Sequence, residues 1–129
     1  MARVLCVDDS QDVGDVLLRM VGREAGLESA GQVTTAGGLV ETVHERRADL
    51  VLLDLTMPGC DPLAELERLS ASGSACKVLV MSGYDDPGTV EAARRAGAAG
   101  FVSKAAEPSR LMGAVRRVLE VGGFVRELG

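Results

Sequence analysis

Aromatic side chains are nearly absent from this sequence: Phe101, Phe124 and Tyr84 are the only ones in 129 residues, and there is no tryptophan. The core must therefore be built from valine, leucine, alanine and methionine. No apolar run approaches the roughly 20 residues of a membrane-crossing helix, and no signal-peptide pattern opens the chain. The expectation is a soluble, cytoplasmic protein that does not engage a membrane. An excess of positive charge is missing as well. Fourteen Lys and Arg stand against nineteen Asp and Glu, a net charge of −5, which argues against a nucleic-acid-binding surface in these residues. Histidine occurs once, at His44, and the three cysteines, Cys6, Cys60 and Cys76, are odd in number and lack a close-spaced metal pattern. Zinc sites and Cys–His nucleophile pairs are thus poorly supported, and Cys6 and Cys76, in or beside apolar runs, read as buried free thiols.

What the chain does contain is organised around one stretch, Asp49 to Gly59. Its unbroken apolar run, Leu50 to Leu53, ends on a single acid, Asp54, and Pro58-Gly59 stops the strand. An apolar run without alternation suits a strand covered on both faces, as in a parallel sheet between helices. Four other such strands are expected. Ala2–Val7 ends on Asp8-Asp9, Leu27–Val33 has the polar Glu28 and Gln32 of an edge strand, 77–81 ends at Ser82-Gly83, and 100–103 leads into Lys104.

Helical patterns separate these runs. Ser10 caps a helix with Val13, Val16, Leu17, Met20 and Val21 at i, i+3, i+4 spacing, closed by Gly26. A second helix, about 36 to 47, points Leu39, Val40 and Val43 inward and is weakened by Gly37 and Gly38. Asp61-Pro62 and Asp86-Pro87 are each a cap followed by proline at the first helical position. The stripes that follow them are Leu63, Leu66 and Leu69 in one helix and Val90, Ala93 and Ala96 in the other. The alanine-rich face buries little area, so that fourth helix should be loosely held. A last helix starts near Pro108, points Leu111, Val115, Val118 and Leu119 inward, and ends at Gly122-Gly123. Five βα units with short connections specify one α/β domain, a five-stranded parallel sheet doubly wound by five helices. Residues 1–121 form the domain, and 122–129 read as a tail or the start of a linker.

With the apolar scaffold set aside, Asp8, Asp9, Asp54, Ser82 and Lys104 remain, all at carboxyl ends of strands and hence on one edge of the sheet, where such folds bind ligands. Three carboxylates gathered there repel one another unless a cation sits among them, and oxygen-only ligands suit Mg²⁺. A carboxylate nucleophile beside a lysine, a hydroxyl and a metal fits phosphoryl transfer to give an aspartyl phosphate. Taken singly, each residue also has an ordinary reading: Asp8-Asp9 as a solvated turn and cap, Asp54 as a loop acid, Ser82 as a turn residue, Lys104 as a surface lysine. Their placement at four strand ends of one sheet is what favours a site.

The motifs Val7-Asp8-Asp9-Ser10, Leu53-Asp54-Leu55-Thr56-Met57-Pro58-Gly59, Val80-Met81-Ser82-Gly83 and Phe101-Val102-Ser103-Lys104 resemble, in order and spacing, the receiver domains of two-component response regulators. The resemblance covers the whole chain. It implies a flavodoxin-like strand order 2-1-3-4-5 and phosphorylation of Asp54 by a phosphohistidine on a sensor histidine kinase or phosphotransfer protein. It further implies Mg²⁺ held by Asp9, Asp54 and the Thr56 backbone carbonyl, with Asp8 acting through water. Ser82 is then the switch hydroxyl and Phe101 the switch aromatic, and the fourth helix, fifth strand and fifth helix form the responding face. Phe101 also has a plain reading as a core aromatic. Thr56 and Tyr84, two residues beyond Asp54 and Ser82, flank the route of water to the phosphoryl group; Tyr84 is read either as a brake on dephosphorylation or as a surface loop aromatic.

Lys104 is followed by Ala105 where the family commonly has proline. Together with Val118–Gly123, this looks most like receivers that precede a helix-turn-helix output of the nitrate-response type. A homodimer would use the last helix with the first, or with the fourth helix and fifth strand. Two other functions stand beside this one: a haloacid-dehalogenase-like phosphatase, which needs a second acid where Thr56 stands, and a receiver fold used as a phosphorylation-independent docking module. The chain is expected to catalyse only its own phosphorylation and dephosphorylation.

Overall fold

The computed structural model describes residues 1–128. Strands β1 (Ala2–Val7), β2 (Leu27–Val33), β3 (Leu50–Asp54), β4 (Lys77–Ser82) and β5 (Gly100–Ser103) alternate with helices α1 (Gln11–Arg23), α2 (Leu39–Arg46), α3 (Pro62–Ala71), α4 (Pro87–Ala96) and α5 (Pro108–Glu120). Every pairing is parallel. With a further strand β6 (Val125–Glu127) the order is β2-β1-β3-β4-β5-β6, so β2 is the edge strand that Glu28 and Gln32 suggested. Residues of β3 are buried throughout, as an unbroken apolar run between two helical layers requires. The helices divide the core in two. Leu39, Val43, Leu66, Leu69, Val90, Ala93 and Ala96 cover one face of the sheet, and Leu17, Val21, Leu111, Val115 and Val118 cover the other. No helix among the described residues is long and apolar enough to cross a membrane.

The expected order 2-1-3-4-5 holds, and a sixth strand extends the sheet at the β5 edge. β6 (Val125–Glu127) lies in the stretch read as a tail or linker and pairs parallel with β5, Gly100 opposite Val125 and Phe101 opposite Arg126. Val125 packs into the α1/α5 layer, Glu127 pairs with Arg117 of α5, and Arg126 lies over the Phe124 ring at 5.5 Å. Gly100 lets the strands approach, since a Cβ there would stand 2.9 Å from the Val125 carbonyl oxygen.

Other boundaries also differ. α1 turns Gly14, Leu17 and Val21 to the sheet and leaves Val13 and Val16 exposed, Val16 at 53%. Its apolar stripe is wider than the surface available to cover it. α2 begins at Leu39, later than expected, because Gly38 takes a left-handed conformation with φ 69°. The cap comes from a residue outside the helix: Gly38 N–H donates to Glu65 of α3 at 3.0 Å, and Arg68 pairs with the other Glu65 oxygen at 2.8 Å. The caps at Ser10, Asp61 and Asp86 accept from the N–H of Val13, Ala64 and Thr89. Of the cysteines, Cys6 is buried and its thiol is pushed up to about 12 by burial, whereas Cys76 is half-buried rather than enclosed.

Candidate functional site

β1 and β3 are adjacent, with Val7 opposite Leu53, so the residues that follow, Asp8 and Asp54, meet at the same edge. One carboxylate oxygen from each of Asp8, Asp9 and Asp54 lies within 4.8 Å of the others. Asp8 and Asp54 are buried to about 1% exposure, while Asp9 faces solvent. A backbone N–H orients each buried acid: Ser10 donates to Asp8 Oδ1 at 2.9 Å and Thr56 to Asp54 Oδ1 at 3.0 Å. Oxygens this close repel, and the described residues offer them one lysine. Lys104 Nζ stands 3.2 Å from Asp54 Oδ2 and 3.5 Å from Asp8 Oδ2.

The electrostatics follow from this crowding. Burial raises the Asp54 pKa above the usual carboxylate value; the Thr56 N–H and Lys104 oppose the rise, and Asp8 adds to it. For Lys104, burial disfavours the charged form, but Asp54 and Asp8 outweigh it and its pKa is raised. A negative cluster only part-neutralised by one ammonium is a set of ligands that could hold a cation. Carboxylates and carbonyl oxygens, with no nitrogen or sulfur donor, suit a hard divalent ion such as Mg²⁺.

Ser82, next in chain to Met81, which pairs with Asp54, is buried at the end of β4. Its oxygen accepts from Tyr84 N–H at 3.0 Å, which leaves its own O–H to donate. Lys104 N–H donates to the Ser82 carbonyl at 2.8 Å, tying the two strand ends together. Phe101 is wholly enclosed under α4 with Val80, Val90 and Ala93. Thr56 is exposed beside Asp54, and Tyr84 is 68% exposed. The bond from Lys104 to Ala105 is trans, since no peptide bond is cis among the described residues. An apolar groove of about 250 Å³ between α1 and the start of α5, lined by Val13, Val16, Met20 and Pro108, reaches Lys104.

Two contributors gave little sign in the sequence. Ser103 Oγ accepts from Ala105 N–H at 3.2 Å, closing the turn that carries Lys104; a serine before a strand-end lysine is a weak hint of such a turn. Gln32 donates from its side chain to the Ser10 carbonyl at 3.0 Å, a contact across 22 residues with no local signature.

The sequence profile of the response regulator receiver domain matches residues 4–116. The chain is 38% identical over 122 residues to protein-glutamate methylesterase/protein-glutamine glutaminase 5 of Myxococcus xanthus, covering 94% of this chain and 34% of that protein. It is 34% identical over 119 residues to the chemotaxis protein CheY of Thermotoga maritima, covering 90% of this chain and 96% of that one. Among solved structures, a LuxR-family two-component response regulator from Aurantimonas sp. SI85-9A1 superposes with a TM-score of 0.88 at 26% identity, covering 96% of this chain and 89% of that one. The chain thus spans about a third of the methylesterase and nearly all of the chemotaxis protein.

Proposed function

This chain belongs to the response regulator receiver domain family, and from that premise we propose that Asp54 is the phosphoacceptor of a two-component phosphorelay. The observation that carries the reading is the meeting of Asp8, Asp9 and Asp54 within 4.8 Å, with Lys104 3.2 Å from Asp54. An Asp54 carboxylate oxygen attacks the phosphorus of a donor phosphohistidine; the O–P bond forms, the P–N bond breaks, and the imidazole leaves. Mg²⁺, when bound, supplies positive charge toward the phosphoryl oxygens. The residues that would hold it are Asp9, Asp54 and the Thr56 carbonyl, with Asp8 through water.

The rest is done by the chain. The Thr56 N–H fixes one Asp54 oxygen and thereby orients the nucleophile. Lys104 offsets charge on the transferring group, and the free O–H of Ser82 donates to a phosphoryl oxygen. The new group adds about −1.5 to −2 charge. Ser82 moves toward it, and the Lys104-to-Ser82 backbone bond carries that motion to β5 and Phe101. α4 holds to the core by Val90, Ala93 and Ala96, a small face easily shifted, so the α4–β5–α5 surface responds.

The groove beside Lys104 supports a protein phosphodonor, a sensor histidine kinase or phosphotransfer protein, in the cytoplasm. Residues 1–121 are read as the receiver proper, with β6 in the segment that follows it, and the likeness to LuxR-family regulators supports a transcriptional output. A second copy of the chain is a further partner. The esterase chemistry of the Myxococcus xanthus relative is not assigned to these residues, whose one reaction is their own phosphorylation and its reversal.

Incubation with acetyl phosphate and Mg²⁺, followed by intact mass, tests the reading. One phosphoryl group should be gained by the unaltered chain and none by Asp54→Ala. No gain in the unaltered chain would favour a phosphorylation-independent docking module.

A further inference from the structure

We infer that Gln32 is the positioning residue of the acidic loop: its side-chain amide holds the backbone of residues 8–10 so that Asp8 and Asp9 converge on Asp54. The inference rests on the metal-site reading above and deepens it.

The placement begins with a register slip. Val4 pairs with Ser29, but Cys6 pairs with Gln32, so β2 carries one residue more than β1 between those points. Gly31, at φ 92°, sits at this bulge, where a Cβ would overlap the Arg46 guanidinium. In a strand, a shift of one residue turns every following side chain to the opposite face. Cys6 faces the α1/α5 layer, and Gln32, its partner, is turned to the same side, under α1.

There the amide meets the loop. Nε2 donates to the Ser10 carbonyl at 3.0 Å, with the Asp8 carbonyl at 3.5 Å. The Ser10 N–H is itself the donor that orients Asp8 Oδ1. Gln32 therefore braces, through Ser10, the residue that aims one acid. It also grips the backbone on both sides of Asp9, whose carboxylate makes no side-chain hydrogen bond or ion pair among the described residues.

Two further features indicate that the contact is more than filling. Gly14, inside α1, is where a Cβ would collide with the Gln32 amide; glycine is a poor helix former, yet it makes the room the amide occupies. Gln32 Oε1 is buried with no hydrogen-bond partner among the described residues. A buried, unpaired acceptor is destabilising, so an apolar side chain would serve packing better. The donor end gives the glutamine its use.

Magnesium titration by calorimetry, on the unphosphorylated full chain and at a temperature where each protein is folded, tests this. Gln32→Met keeps the length and removes the donors, and should raise the Mg²⁺ dissociation constant about tenfold, the lower range for loss of a residue that orients metal ligands. Gly14→Ala, which favours the helix but displaces the amide, should weaken Mg²⁺ in the same direction. Unchanged Mg²⁺ affinity in Gln32→Met, even with altered melting temperature, would make Gln32 merely structural and overturn the inference. If the unaltered chain binds no Mg²⁺, the metal-site reading fails and takes the inference with it.

Discussion

Lys104 Nζ stands 3.2 Å from Asp54 Oδ2 and 3.5 Å from Asp8 Oδ2, reaching from the end of β5 to the ends of β3 and β1. It is the one basic side chain paired with these acids among the described residues, and the strand order makes the contact: β4 separates β5 from β3, so only a long side chain spans the gap.

Replacing Lys104 by methionine keeps the aliphatic stem and removes the charge. Phosphorylation of Asp54 by acetyl phosphate should slow by about a hundredfold, the order expected for losing one group that meets developing charge. The rate of mass gain at fixed Mg²⁺ measures it, and an unchanged rate would remove Lys104 from the reaction.

The raised pKa of Asp54 fixes a pH dependence. Burial is the chief cause, so the folded chain holds the Asp54 proton more tightly than the unfolded chain does. Such a carboxyl contributes stability at low pH that is lost as the pH rises through its folded value. At pH 7 without metal, Asp54→Asn should therefore melt at a higher temperature than the unaltered chain, with the gap closing as the pH is lowered through the folded pKa. Added Mg²⁺ should stabilise the unaltered chain more than the variant, because a ligand stabilises the state that binds it. Equal melting temperatures at pH 7 would contradict the account.

Tyr84 presents a large exposed ring two residues from Ser82, anchored through its N–H to the Ser82 oxygen. Tyr84→Ala keeps that backbone bond and removes the ring. Decay of the phosphorylated form should accelerate severalfold, followed by intact mass over time, and an unchanged lifetime would make Tyr84 an ordinary loop residue.

β6 should contribute measurably to stability. Val125 is 9% exposed within the α1/α5 layer, so Val125→Ala, which removes two methylene equivalents, should cost about 1.5 kcal/mol in urea unfolding. No loss would mean that the strand is not docked in solution.

The legible part of the molecule was the part written in local pattern. Apolar runs ending in Asp8, Asp54, Ser82 and Lys104 identify strands and their carboxyl ends together, and parallel pairing then brings those ends to one edge. Proline after an aspartate marked the starts of α3 and α4 for the same local reason. What escaped depends on distant partners. Val13 and Val16 keep helical spacing with Leu17 and Val21, but the sheet beneath α1 is too narrow to cover all four. Three residues, Val125 to Glu127, are too few to show a strand period, and they pair because the edge of β5 is open and Arg117 awaits Glu127. Gln32 looked like an edge-strand polar residue, which it is; only the bulge at Gly31 turns it under α1. Glu65 has no local signature either: it is buried because the N-terminus of α2, which has no side-chain cap of its own, stands beside it.

The position of the phosphoryl group decides whether Asp54 is the phosphoacceptor. After treatment with acetyl phosphate and Mg²⁺, borohydride reduction converts an aspartyl phosphate to homoserine, and peptide mass spectrometry locates the change. Homoserine is expected at position 54, with Asp8 and Asp9 intact and the modification lost when Mg²⁺ is chelated beforehand. Homoserine at position 8 or 9, or none anywhere, would contradict that assignment.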